Sequence, residues 1–334
     1  MIRRIAAAAL LLAAAAGRAG AQQGDSLKPY AIPASPAFTF LGTTPGKVER
    51  PVAARALALG LAQDVAASGG IPRGLALDVA PWSFVPGLRI PLRRYQTDPA
   101  AYALANTQLS VGTIQPQADT AGTDLAVGVR TTLFDRGDPM ADTAYTSAVR
   151  KGLVQCQSAA GPTDPDSVVV ACARRVTGQL RTRWREDHWN AASLAFAAAA
   201  GWRFPESQVT SSDWLGWAGW ATAALPLFKG GQVLGQLRYD VQGANRHGLT
   251  YGGRAYLGTP SVNVFAEVTH DGVDTTGTPT SWAGGLELRV LQSFWLSTGV
   301  GTVARPDAGA KTVAVIANLR WDVSTLPRFG RLVP

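Results

Sequence analysis

The residues able to do acid–base or ion-pair chemistry in this chain are mostly arginines and carboxylates set at every second position. Arg238 and Asp240 alternate with Leu237, Tyr239 and Val241, and Glu287 and Arg289 alternate with Leu286, Leu288 and Val290. A period of two puts the charged members of a strand on one side of a sheet and the apolar members on the other. The polar set reads Asp78, Asp124, Arg130, Arg203, Gln236, Arg238, Asp240, Arg254, Asn263, Glu267, Glu287, Arg289, Asn318 and Arg320. With Asp322 added, its arginines and carboxylates are equal in number. Charges removed from bulk water persist only when paired or hydrated. Matched signs therefore predict cross-strand ion pairs rather than a one-signed field.

Nucleophilic and metal chemistry have less to work with. The chain has three histidines. His188 sits in the charged run Arg185-Glu186-Asp187-His188, while His247 and His270 fall in neighbouring loops, with Asp271 beside His270. A metal or general-base site at these two needs a third ligand or a nucleophile, and none is indicated. There is no G-x-S-x-G elbow, Walker loop, zinc-finger spacing or dinucleotide fingerprint. The expectation is a non-enzyme, with no catalytic residue, no metal site and no cofactor. Cys156 and Cys172 are the two cysteines. In an oxidising compartment they are expected to pair, with a loop worth about 3 kcal/mol on the chain-entropy model.

The elements that must position these residues follow from the same alternation. Alternating segments lie at about 75–80, 103–114, 123–134, 191–203, 214–227, 232–242, 248–258, 261–270, 280–291, 294–304 and 311–323. Connections such as Lys229-Gly230-Gly231, Thr259-Pro260 and Gln292-Ser293 are tight, whereas 204–213, 243–247, 271–280 and 305–310 are longer. Residues 136–190 break the rhythm. Tyr145, Val149, Leu153 and Cys156 have helical spacing, as do Val169, Cys172, Val176 and Leu180, with Gly161-Pro162 and Asp164-Pro165 between them. That pattern predicts a helical hairpin stapled by its cysteines. A further helix is expected over 51–67, after Pro51.

Residues 1–21 read as a signal peptide: Arg3 and Arg4, the apolar run Ile5–Ala16, and Ala19-Gly20-Ala21 as the cleavage site. The formal charge of +8 falls to +5 once Arg3, Arg4 and Arg18 are removed. Export and the lack of a recognition motif exclude nucleic acid as a partner. Many amphipathic strands of about ten residues in an exported chain are the signature of a transmembrane β-barrel of the outer membrane. Bacterial barrels have even strand numbers, so eleven segments predict about twelve strands, with ten to fourteen as the range. The stretch 37–42 or the loop 83–100 would supply the missing one. Trp202, Trp214, Trp282, Trp295 and Trp321 near strand ends would form an aromatic girdle.

The stretch Ser35-Pro36-Ala37-Phe38, Leu41-Gly42, Pro45 and Arg50-Pro51, leading through a helix to Leu75–Trp82, resembles the start of a family of uncharacterised outer-membrane β-barrel proteins of Gram-negative bacteria. The tail 324–334 departs from chains of that kind, which end on an aromatic residue in the last strand. The expected layout is a signal peptide at 1–21, an N-terminal extension at 22–72 (periplasmic or a plug), an all-β membrane barrel at 73–323 holding the insertion 136–190, and the tail. The polar set would then line the lumen of a narrow pore for small polar solutes in the outer membrane. Lipids would surround that barrel, and a periplasmic partner could dock on the helical insertion. A structural or assembly-partner barrel and an outer-membrane enzyme are the alternatives. The oligomeric state is left open.

Overall fold

The computed structural model describes residues 33, 35–41, 76–81, 90–115, 122–159, 166–205, 211–243, 246–272, 280–291, 294–304 and 311–321. The expected signal peptide, the helix at 51–67 and the tail lie outside them. Eleven strands form one antiparallel sheet: β1 (Ala76–Val79), β2 (Gln108–Ile114), β3 (Thr123–Asp135), β4 (Ser193–Phe204), β5 (Asp213–Phe228), β6 (Gly231–Gln242), β7 (Arg246–Gly258), β8 (Val262–Asp271), β9 (Thr280–Leu291), β10 (Phe294–Ala304) and β11 (Lys311–Trp321). Among the described residues each strand pairs only with its neighbours in sequence, and β1 is not hydrogen-bonded to β11.

This overturns the barrel. The sheet is open, with eleven strands rather than a closed wall of about twelve. The alternation that marks a half-buried strand is the same in an open meander and in a barrel, because it reports the two faces and not the closure. The described parts of the two reserve segments, 37–41 and 90–100, supply no twelfth strand. Pro36–Phe40 is a helix, α1, started by a proline in its first turn. The loop at 83–100 contains α2 (Leu92–Thr97) and leads into α3 (Pro99–Ala105). Asp98 caps α3 by accepting from the Ala100 and Ala101 amides at 3.0 and 3.3 Å, and Pro99 presets its first turn. Alanine-rich sequence then holds the helix as far as Ala105, so β2 begins only at Gln108.

The helical hairpin is α4 (Thr143–Ala159) and α5 (Asp166–Asp187), between β3 and β4. Asp142 starts α4 by accepting from the Tyr145 amide at 2.6 Å. Gly152 lets the helices approach, since a Cβ there would strike Val176. Cys156 and Cys172 form a disulfide, with Cα atoms 5.7 Å apart. The hairpin returns to the sheet through Trp184, whose Nε1 donates to Gly137 O at 2.9 Å, and through Asn190, whose Nδ2 donates to Phe228 O and Gly231 O. No described helix is long and apolar enough to cross a membrane.

The register gives the sheet two unlike faces. One carries Asp78, Asp124, Arg130, Arg203, Arg238, Asp240, Arg254, Glu267 and Glu287. The other carries Leu109, Val129, Phe196, Leu237, Leu257, Val264, Trp282 and Val315, all exposed. Trp214, Trp217 and Trp220 are three apart and cannot share one face of a regular strand. A bulge settles them: Gly216, at φ +132°, lies where the register shifts, so Trp214 joins Trp217 on the apolar face and Trp220 turns to the charged one. Trp202 and Trp282 also share the apolar face, whereas Trp295 takes a register position opposite Arg289 and Arg320.

Candidate functional site

The charged face is the part of the molecule where polar groups converge. Its C-terminal half, β7–β10, is filled by its own side chains. Arg254 is 6% exposed. Its Nε donates to Glu267 Oε2 at 2.6 Å, and its Nη1 donates to Tyr256 Oη at 2.7 Å and to Glu287 Oε1 at 3.5 Å. Ser297 Oγ donates to the same Glu287 oxygen at 3.3 Å. The guanidinium carbon stands 5.0 Å from the Phe265 ring centre and 5.6 Å from that of Tyr256. Burial pulls the Arg254 pKa down, but Tyr256 and Glu267 outweigh it and the net shift is upward. Trp189, just past α5, packs against Tyr256, Phe265 and Ala283. Asn263 is buried opposite Glu287, and its Oδ1 accepts no hydrogen bond.

The N-terminal half, β1–β5, has a floor of small residues and is covered by α1. A Cβ on Gly112 would lie 2.6 Å from Phe38, and one on Gly128 would lie 2.7 Å from the Ala37 nitrogen. Phe40 packs against Ala197, Ala199, Ala218 and Trp220. Ser35 Oγ donates to Asp78 Oδ1 at 2.7 Å, and the Ala37 amide donates to Ser110 Oγ at 3.0 Å. Arg130 lies at the edge of this recess and donates to Gln108 Oε1 at 3.0 and 2.6 Å rather than to a carboxylate. Its pKa is lowered by burial, with Asp78 opposing. At the far end of the same strands, Arg203 grips Asp124 with two bonds of 2.7 and 2.9 Å, and that pairing raises the arginine's pKa.

The remaining members of the polar set take these places. Arg238 pairs with Asp240 along its own strand at 2.6 Å and lies over Trp220. Gln236 stands between Thr222 and Gly252, and Arg289 opposite Trp295. Asn318 and Arg320 sit at register positions opposite Ser297 and Trp295. All share one face, but an open sheet encloses no lumen for them to line. The pore, its polar solute, the surrounding lipids, the outer-membrane location and the docking role given to the hairpin all rested on a closed wall. They are withdrawn with it, as are the structural barrel and the outer-membrane enzyme.

Sequence reasoning missed a second polar cluster. Tyr95 Oη donates a short hydrogen bond to Asp138 and accepts one from Asn106 at 3.1 Å, and its ring is 4.9 Å from that of Tyr102. Tyr95 and Tyr102 border a cavity of about 330 Å³ between α2, α3 and the end of β3, which Asp98 and Asp135 also line. Burial and Asp138 push the Tyr95 pKa up to about 12. Burial also raises Tyr102, and it raises Asp135 against the Gly137 amide that donates to it. The Asp98-Pro99 helix start was the available signal. His247 and His270 do not meet at a shared ligand site. His247 Nδ1 lies 3.3 Å from Tyr239 Oη, and His270 stacks on Tyr251. Among the described residues no group of three or more His, Cys, Asp or Glu could hold a metal ion.

Comparison with protein-family models, with curated proteins and with solved structures finds no match to this chain. The resemblance to an outer-membrane barrel family therefore has neither a family match nor a closed barrel behind it.

Proposed function

We propose that this chain is an exported, non-catalytic structural protein that pairs with a second copy of itself through the apolar face of its sheet. The observation that carries the reading is the segregation of charge. Among the described residues the register puts no Asp, Glu or Arg on the apolar face; its ionisable positions are His247, His270 and Lys311, all towards one end of the strands, and the phenols of Tyr239 and Tyr251. Its large side chains stay exposed, Leu237 at 47%, Val264 at 56% and Val315 at 80%. Soluble monomers rarely leave an apolar patch beyond ~300–600 Å² open. Eleven strands at ~4.8 Å spacing and ~3.3 Å rise give a face on the order of 1,500 Å². A stable interface needs about 800 Å² from each partner. Two such faces, packed about 10 Å apart, satisfy both requirements.

The charged face supports a non-catalytic role, because its groups are spent on one another: Arg254 on Glu267 and Glu287, Arg203 on Asp124, Arg238 on Asp240. The leader at 1–21 and the disulfide fit an exported chain. The test is molar mass in detergent-free buffer, by sedimentation equilibrium. A dimer is expected, with Leu237→Arg shifting it to monomer and Gln236→Arg leaving it intact. A wild-type monomer in water, or a chain held in solution only by detergent micelles, overturns the reading.

A further inference from the structure

The recess over β2–β4 is a fitted socket, and the segment Ser35–Phe40 is its occupant. Ser35, Pro36, Ala37 and Phe38 are all buried, yet the segment belongs to no strand of the sheet. Its backbone bonds are largely its own, Thr39 N to Ser35 O and Leu41 N to Ala37 O, both 3.1 Å. The sheet holds it through the Phe38 and Phe40 rings over glycine, and through the bonds from Ser35 to Asp78 and from Ala37 to Ser110. Such contacts recognise a ligand by side-chain shape and a few polar anchors, as a peptide pocket does. They differ from strand pairing, which fixes register along a whole ladder.

We infer that this recess is an exchangeable peptide-binding site, filled in cis by residues 35–40. The ligand it takes is a short segment with a proline-started turn and two aromatic rings two residues apart, as in Pro36-Ala37-Phe38-Thr39-Phe40. In sequence, residues 42–75 separate the segment from β1. An occupant on the same chain binds intramolecularly, so free peptide competes only when the cis anchors are weakened. This inference concerns the charged face and stands apart from pairing through the apolar one.

The experiment titrates the full chain carrying Phe38→Ala and Phe40→Ala with a fluorescent synthetic peptide of residues 33–42, read by anisotropy. Saturable binding is expected, at least ~10-fold tighter in apparent affinity than to the wild-type chain, whose socket is filled. The same peptide with both phenylalanines replaced by alanine should not bind. A folded variant that binds nothing, or a wild-type chain that binds equally well, overturns the site. Hydrogen exchange on the unaltered chain tests it without any variant. The Ala37, Thr39 and Leu41 amides should exchange at least ~10-fold faster than those of Val127 and Val129, by local opening. Equal protection would make the segment part of one cooperative unit with β3 and would overturn exchange.

Discussion

The two halves of the charged face solve one packing problem in opposite ways. On β7–β10 the strands bring large ionic side chains, and Arg254, Glu267, Glu287, Tyr256 and Phe265 fill the space above the sheet. On β2–β4 they bring Gly112, Gly128, Ala199 and Gly201, and the space is filled by another part of the chain. In the first case the desolvated charges must satisfy each other. In the second the incoming backbone and hydroxyl must be satisfied by the sheet, and Ser110 and Asp78 do this. Filling by own side chains ties stability to ion pairing, whereas filling by a segment ties it to a contact that can be undone.

The largest effect should come from breaking the ionic half. Glu267→Ala leaves the Arg254 guanidinium buried with one of its carboxylates gone. Removing one partner of a buried pair costs about 3–5 kcal/mol. Urea unfolding should show that loss, and replacing the whole ionic group together, Arg254→Met with Glu267→Leu and Glu287→Gln, should recover most of it. A Glu267→Ala loss under ~1 kcal/mol, the median of an exposed pair, would mean water reaches this half freely.

Next is the segment half. Gly128→Ala puts a methyl into the space held by Ala37 and Pro36, an overpacking worth about 1–3 kcal/mol. Gly235→Ala has nothing within 4 Å and should stabilise by up to ~1 kcal/mol, since glycine weakens a strand interior. Thermal unfolding of the two variants should move in opposite directions. If both rise, the segment is not seated over Gly128.

These outcomes bear on what could be read from sequence. Alternation located the two faces, because a period of two is written in the residue types: Arg254 and Glu267 stand opposite each other on paired strands. Helical spacing from Tyr145 to Cys156 and from Val169 to Leu180 marked the hairpin, whose helices run over 143–159 and 166–187. Closure could not be read, since it depends on whether β1 meets β11, and no local pattern records that contact. The α1 segment was hidden for a different reason. Phe38 and Phe40 alternate as a strand would, and only the glycines on distant strands make them the rings of a docked turn. The tyrosine cluster at 95–102 was masked by prolines and arginines that read as loop, although Asp98-Pro99 is a helix start.

A smaller effect separates anchoring from shape within the recess. Ser110→Ala removes the acceptor for the Ala37 amide and leaves the glycine floor untouched. The net loss should be about 1 kcal/mol, the worth of one neutral hydrogen bond. Exchange of the Ala37 amide should accelerate while the amides of β7 and β8 do not change. Acceleration in both places would couple the two halves and undo the contrast drawn between them.

The smallest effect concerns a carboxylate that lacks the compensation seen in the ionic half. Asp135, at the end of β3, accepts from the Gly137 amide at 2.8 Å, but burial outweighs that donor and holds its pKa above the ordinary value. A raised acid binds its proton more tightly in the folded state than in the unfolded one. Unfolding free energy is therefore greatest below the ordinary Asp pKa of ~3.9 and falls as pH rises through the raised value. Above that value the folded state carries the penalty of a partly desolvated carboxylate. Asp135→Asn keeps an oxygen for the Gly137 amide and discards the charge, so it should raise the unfolding midpoint at neutral pH. The gain should shrink as pH falls and vanish where Asp135 is protonated in both states. Glu267→Gln, by contrast, should lose stability at neutral pH, because its charge is matched by Arg254. A midpoint that drops for Asp135→Asn at neutral pH would show that this carboxylate is also held by a cation, and that the two halves treat their acids alike.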